Sequence, residues 1–213
     1  MDYADVDDER QYEYLNPPGL TGWGYFLAHV DLFYDMGEYG VIYTDKRSPY
    51  HVIKVANLDI TDGESNYEMA DFLRDNWYRD IEGLVKITSV FVGECDGFHK
   101  ALFERIKRAV TPDKLQKAVN VLDLDEDDEI LMFRMELLPF IGLTHPDLKK
   151  KEMIDRVADA AYSIGSQTGM ILTDLKPANY GFRNDGSAAI FDFNLESGFR
   201  SKEEYRKRIT DAS

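Results

Sequence analysis

Thr173–Asn194, TDLKPANYGFRNDGSAAIFDFN, decides how the rest of the chain is read. It is expected to form a loop carrying Asp174, Lys176 and Asn179, a strand at Tyr180–Phe182, a turn at Asn184-Asp185-Gly186, and a second strand from Ala188 to Phe191 ending on Asp192-Phe193-Asn194. Asp-Gly accepts the positive φ that tight hairpins demand. A loop followed by a hairpin brings Asp174, Asn179 and Asp192 to one end of that hairpin. One carboxylate there can orient a hydroxyl, while a carboxamide and a second carboxylate can hold magnesium on nucleotide phosphates. Either half alone would suit an ordinary turn or strand end; order and spacing together carry the argument.

Upstream, Ile154, Val157, Ala161 and Ile164 recur at helical spacing between Asp147 and Gly169, with Gly169 suited to the helix end. Ile130–Leu138 is an apolar strand. Before it, Phe98–Val110 and Pro112–Leu122 read as two inserted helices, with Thr111-Pro112 marking the second start. Val85–Val92 reads as a strand. Glu64–Trp77 reads as a helix with the stripe Tyr67, Ala70, Leu73 and Trp77. Residues 31–55 read as three strands, with the second turn at Asp45–Pro49, and Leu20–Val30 as a short helix. Beyond Asn194 there is a charged helical stretch near Ser201–Ile209.

At 213 residues the chain can build one domain with a sizeable core or two small lobes, and 44% hydrophobic content fits a globular protein. Neither a signal peptide nor a bilayer-spanning run is expected, so the reading is cytoplasmic with no membrane partner. Cys95 is the sole cysteine and the four histidines are scattered, which excludes an internal disulfide and argues against zinc. Forty acids against 25 bases give a net charge of −15, which argues against nucleic-acid binding. The excess concentrates at residues 1–13 and at 123–129 (DLDEDDE). Solvated segments or a docking surface for a basic partner both fit such blocks. A calcium loop does not, because Asp128 and Arg134 occupy its glycine and closing glutamate positions.

Leu172-Thr173-Asp174-Leu175-Lys176-Pro177-Ala178-Asn179 resembles the protein-kinase catalytic loop H-R-D-L-x-x-x-N, and Asp192-Phe193-Asn194 resembles D-F-G. Asp35-Met36-Gly37-Glu38-Tyr39-Gly40-Val41-Ile42 is similar to the glycine loop, with Gly37 and Gly40 kept, and Val52-Ile53-Lys54 to the V-A-I-K strand. The resemblance implies an α+β, protein kinase-like two-lobe fold. An acidic arm (1–19) would precede an antiparallel-sheet N-lobe (20–138, with the insertion at about 98–122) and a minimal, mostly helical C-lobe (139–213). It implies ATP bound by Gly37, Gly40, Ile42, Val52 and Lys54. Glu68, or Glu64 one turn away, would clamp Lys54. Met135 would lie at the back of the adenine pocket, and Glu136–Leu138 would offer backbone groups to the adenine edge.

The same resemblance makes Asp174 the group that orients the acceptor hydroxyl and Lys176 the γ-phosphate cation, with Asn179 and Asp192 as magnesium ligands. The expected activity is a protein serine/threonine kinase acting on a host protein, since the brevity of the chain is similar to small bacteriophage-encoded kinases. The alternatives are a pseudokinase-type binding or inhibitor protein, and a small-molecule kinase. Three departures stand out. Asn194 replaces the glycine of D-F-G, where a left-handed backbone is expected. Gly181 stands where a larger side chain lines the adenine pocket floor. The A-P-E segment and the helices behind it are missing, with nothing expected to replace them.

Overall fold

The structure, a computed structural model, describes residues 22–36, 40–58, 64–76, 79–94 and 129–213. The fold is α+β, and the chain divides into two compact units: Met1–Arg74 with Ile87–Met135, and Asp75–Lys86 with Glu136–Ser213. The acidic segment 1–13, Gly37, Trp77, Cys95 and both inserted helices lie outside the described residues, as does all but Glu129 of the run 123–129.

In the first unit, α1 (Gly22–His29) leads into β1 (Val30–Met36), β2 (Gly40–Asp45) and β3 (Ser48–Asn57), the three strands expected there. With β4 (Ile87–Glu94) and β5 (Glu129–Glu136) they form a sheet of order β1-β2-β3-β5-β4. The β2–β3 reversal is tighter than expected, because Asp45 closes it at Lys46-Arg47 and Ser48 already belongs to β3. Asp45 Oδ1 accepts from the Arg47 amide at 2.8 Å, and Oδ2 accepts from Arg134 Nε at 2.6 Å. A buried carboxylate is tolerated when it is paired in this way. The central position of β3 explains why Val52 through Asn57 are all buried.

After Leu58 comes α2 (Glu64–Asn76), whose buried face is Met69, Ala70, Phe72 and Leu73. The expected stripe is therefore corrected at Tyr67, which is 39% exposed. Tyr67 and Met69 point to different sides of a helix, and the buried side is the one richer in purely apolar atoms.

The second unit is organised by α3 (Lys150–Thr168). Its buried residues include all four of the expected face, Ile154, Val157, Ala161 and Ile164. Each large apolar side chain among them contributes about 1.5–3 kcal/mol. Gly169 ends the helix at φ 73°, its amide donating to Gly165 O. The chain continues through β7 (Met170–Thr173), a 3-10 turn (Pro177–Asn179), β8 (Tyr180–Phe182), β9 (Ala188–Ile190) and β10 (Asn194–Ser197). β10 pairs with β7; β8 lies between β9 and the short β6 (Phe140–Ile141).

Gly181 pairs with Ile141, and a Cβ at Gly181 would overlap the Phe140 carbonyl oxygen and come within 3.0 Å of Leu138 Cδ1. This glycine is there for close backbone approach, and no larger side chain fits. Gly181→Ala is expected to lower stability by about 1–3 kcal/mol, read as a lower urea midpoint at unchanged m-value.

The C-terminal stretch is more than a charged tail. α4 (Lys202–Asp211) is capped by Ser201, whose amide donates to Glu204 Oε2 at 2.8 Å. It packs on α3 through the buried Tyr205 and Ile209, with Arg206 paired to Asp155 at 2.6 Å and Lys202 paired to Asp159. Burial pushes the phenols of Tyr205 and Tyr180 above their ordinary value. The folded state therefore holds these protons to higher pH than the unfolded chain does. Stability from this source is full below about pH 10, the ordinary tyrosine value, and is lost as pH rises through the folded values. Denaturation midpoints are expected to fall as pH rises above about 10, and to fall less in Tyr205→Phe.

Candidate active site

Four of the expected site residues converge within the second unit. β7 delivers the chain to Asp174, whose φ of 55° makes it the one non-glycine residue of left-handed backbone among the described residues. Aspartate tolerates that region better than most residues. The Lys176 amide donates to Asp174 O and the Asn179 amide to Lys176 O, both at 2.9 Å, which coils Pro177–Asn179 into its single turn.

Asn179, 4% exposed, is the hub. Its Nδ2 donates to Asp174 O at 2.8 Å and to Asp174 Oδ2 at 2.9 Å. Its backbone carbonyl accepts from the amides of Phe191 at 3.1 Å and Asp192 at 3.3 Å. One residue thus ties the loop to the far end of the β8–β9 hairpin. That hairpin turns where expected: Gly186 has φ 80°, and Asp185 Oδ1 accepts from Ser187 N and Oγ. Beyond Asp192, Phe193 is buried and β10 runs back beside the loop, Asn194 opposite Thr173. Asn194 is accordingly extended rather than left-handed, and this departure from D-F-G needs no glycine.

Lys176 Nζ lies 2.9 Å from Asp174 Oδ2, with the two side chains 51% and 38% exposed. So exposed a pair adds little to folding. The Asn179 amino group is committed inward, and its Oδ1 takes no hydrogen bond among the described residues. A carboxamide oxygen and the Asp192 carboxylate are hard donors, a pair that fits magnesium when phosphates and water complete the shell. Among the described residues there is no cluster of three or more His, Cys, Asp or Glu side chains of metal-binding geometry.

In the first unit, Gly40 pairs with Ala56 and Ile42 with Lys54, while Val52 lies opposite Thr44. Period-two alternation places Gly40, Ile42, Val52 and Lys54 on one face of the sheet. Lys54 is only 7% exposed, its ammonium 5.9 Å from the centre of the Phe133 ring. Met135, two positions along β5 from Phe133, is buried too. A Cβ on Gly40 would meet Lys54 Cε at 3.1 Å and Val55 O at 3.0 Å. Gly40 therefore makes room for the lysine stem, a role distinct from the backbone approach to phosphate that its motif suggests.

Glu68 lies exposed on α2, and among the described residues no ion pair joins it to Lys54. Glu64 is the first residue of that helix. Glu136 is engaged structurally: its amide donates to Lys86 O at 2.9 Å, and its carboxylate accepts from the Lys86 amide at 2.8 Å and from Arg183 Nε at 3.1 Å. Arg183 also donates to Leu84 O at 3.2 Å. Sequence reading missed Arg183, since nothing local marks a partner so distant in the chain. Leu138 is buried in the second unit. Among the described residues no helix is long and apolar enough to cross a membrane. No protein-family model and no curated protein sequence matches this chain.

Proposed function

We propose that the protein is an ATP- and magnesium-dependent protein serine/threonine kinase with the two-lobe protein-kinase fold. The observation that carries the reading is Asn179, which holds the Asp174 carboxylate through its side chain and the Asp192 amide through its backbone. This is the arrangement that in-line phosphoryl transfer asks for: fixed groups around a nucleotide, with little covalent work left to the protein. Asp174 would accept the hydroxyl proton and aim its oxygen at the γ-phosphorus. Lys176, already beside Asp174, would neutralise the γ-phosphate. Asn179 and Asp192 would hold magnesium, and the chemistry supplied with it is neutralisation of charge on the phosphate oxygens. Lys54, on the third strand as in kinases, would take the α and β phosphates. Ile42, Val52 and Met135 would give apolar contact to the base, and the backbone of Glu136–Leu138 its polar edge.

The alternative is a pseudokinase, in which the protein occupies a host partner. In kinases the strand lysine pairs with a helix glutamate, and Glu68, the expected clamp, lies exposed on α2. The two readings separate in one experiment. Purified protein with ATP and magnesium should gain about 2.7 kcal/mol at 100 times the dissociation constant, seen as a thermal shift, and should transfer label from γ-labelled ATP to a protein in host lysate. A shift without transfer supports the pseudokinase; neither result at millimolar nucleotide rejects both nucleotide readings.

A further inference from the structure

Resting on the kinase reading, we propose that Arg200 and Tyr205 are positioning residues for the catalytic loop, gripping Leu172 through its backbone. Among the described residues β7 and β10 form a sheet of two strands. At Leu172 the backbone groups on the side away from β10 are instead met by side chains. The Leu172 amide donates to Tyr205 Oη at 3.1 Å, and Arg200 Nη1 donates to the Leu172 carbonyl at 3.0 Å. The two side chains brace each other, with the Arg200 guanidinium 5.5 Å from the centre of the Tyr205 ring.

The grip falls two residues before Asp174, where the backbone enters its left-handed conformation. Such a conformation is disfavoured for a residue with a side chain and persists only when its surroundings over-determine it. Asn179 holds Asp174 from the downstream side; Arg200 and Tyr205 fix the upstream approach through a single residue. Tyr205 is 1% exposed and anchored among α3 and α4, so its hydroxyl stands at a fixed height above β7.

Tyr205→Phe removes one oxygen and keeps the ring; Arg200→Ala and Arg200→Lys remove and restore a cationic donor. Hydrogen exchange in the full-length protein reads the positioning without requiring activity. Tyr205→Phe and Arg200→Ala should speed exchange at the Leu172 amide and also at the Lys176 and Asn179 amides, by at least about 10-fold, while amides within α3 keep wild-type rates. Arg200→Lys should restore part of that protection. In the transfer assay kcat should fall about 10- to 100-fold, the scale of a small misplacement, with the dissociation constant for ATP and magnesium unchanged. Faster exchange at Leu172 alone, with Lys176 and Asn179 still protected, would overturn the proposal, as would equal acceleration throughout α3. Wild-type protein without any transfer would reject the kinase reading and leave the exchange result to decide the positioning role.

Discussion

Asp192→Ala is expected to eliminate magnesium-dependent nucleotide binding and to reduce phosphoryl transfer by about 10³-fold or more, the several kcal/mol that charge neutralisation on phosphate supplies. The fold should survive. The Asp192 amide is held by Asn179 O, an interaction alanine retains, and the next residues, Phe193 and Leu195, are 3% and 2% exposed and anchor the segment independently. The β10–β7 ladder begins immediately after, at Asn194 opposite Thr173. Removing a half-buried carboxylate there deletes no core volume. Calorimetry with ATP in the presence and absence of magnesium reads the result: wild type should show a magnesium-dependent component and the variant none. A variant that binds ATP and magnesium like wild type would remove Asp192 from the ligand set.

What the sequence made legible follows from how locally each feature is encoded. The loop and hairpin were readable because Asp-Leu-Lys-Pro-Ala-Asn, Asn-Asp-Gly and Phe-Asp-Phe-Asn are short patterns whose geometry is fixed by backbone preferences at Pro177, Gly186 and Asp174. The face of α3 was readable because nineteen residues give its period room to declare itself. On α2 only thirteen residues are available, and aromatic Tyr67 competes with Met69 for the buried side. The period alone could not choose, and the position of Glu68 went with it.

Other features depend on contacts across long sequence separations. Gly181 looks like an altered ligand-binding position until the Phe140 carbonyl is seen against it. Gly40 looks like a phosphate-loop glycine, and its neighbour proves to be the Lys54 stem. α4 is mostly charged, and its two buried residues, Tyr205 and Ile209, are too few to reveal a packed helix. Glu136 was read for its backbone, whereas its carboxylate is committed to Arg183.

Asp174→Asn is expected to leave affinity for ATP and magnesium unchanged while lowering phosphoryl transfer by about 10²- to 10⁴-fold, the contribution of a positioned general base. The choice of asparagine follows from the backbone. Asp174 has φ 55°, a region in which aspartate and asparagine are several-fold enriched over other non-glycine residues. Asparagine also keeps a carbonyl oxygen where Asn179 Nδ2 and Lys176 Nζ donate, so the loop geometry is preserved and only the basic charge is lost. Asp174→Ala confounds two effects. It removes the carboxylate and also places a β-carbon residue without local hydrogen bonds in left-handed backbone, at a further cost of about 1–2 kcal/mol. Asp174→Gly separates them, because glycine relieves the backbone while still lacking the base. The expected order of stability is therefore alanine below glycine and asparagine, whereas transfer should be low in all three variants. Single-turnover transfer and urea midpoints measured on the same preparations test both orders. Transfer in Asp174→Asn within about threefold of wild type would deny Asp174 the role of base and leave Lys176, its ion-pair partner, as the charged group of the loop with a claim on the phosphate.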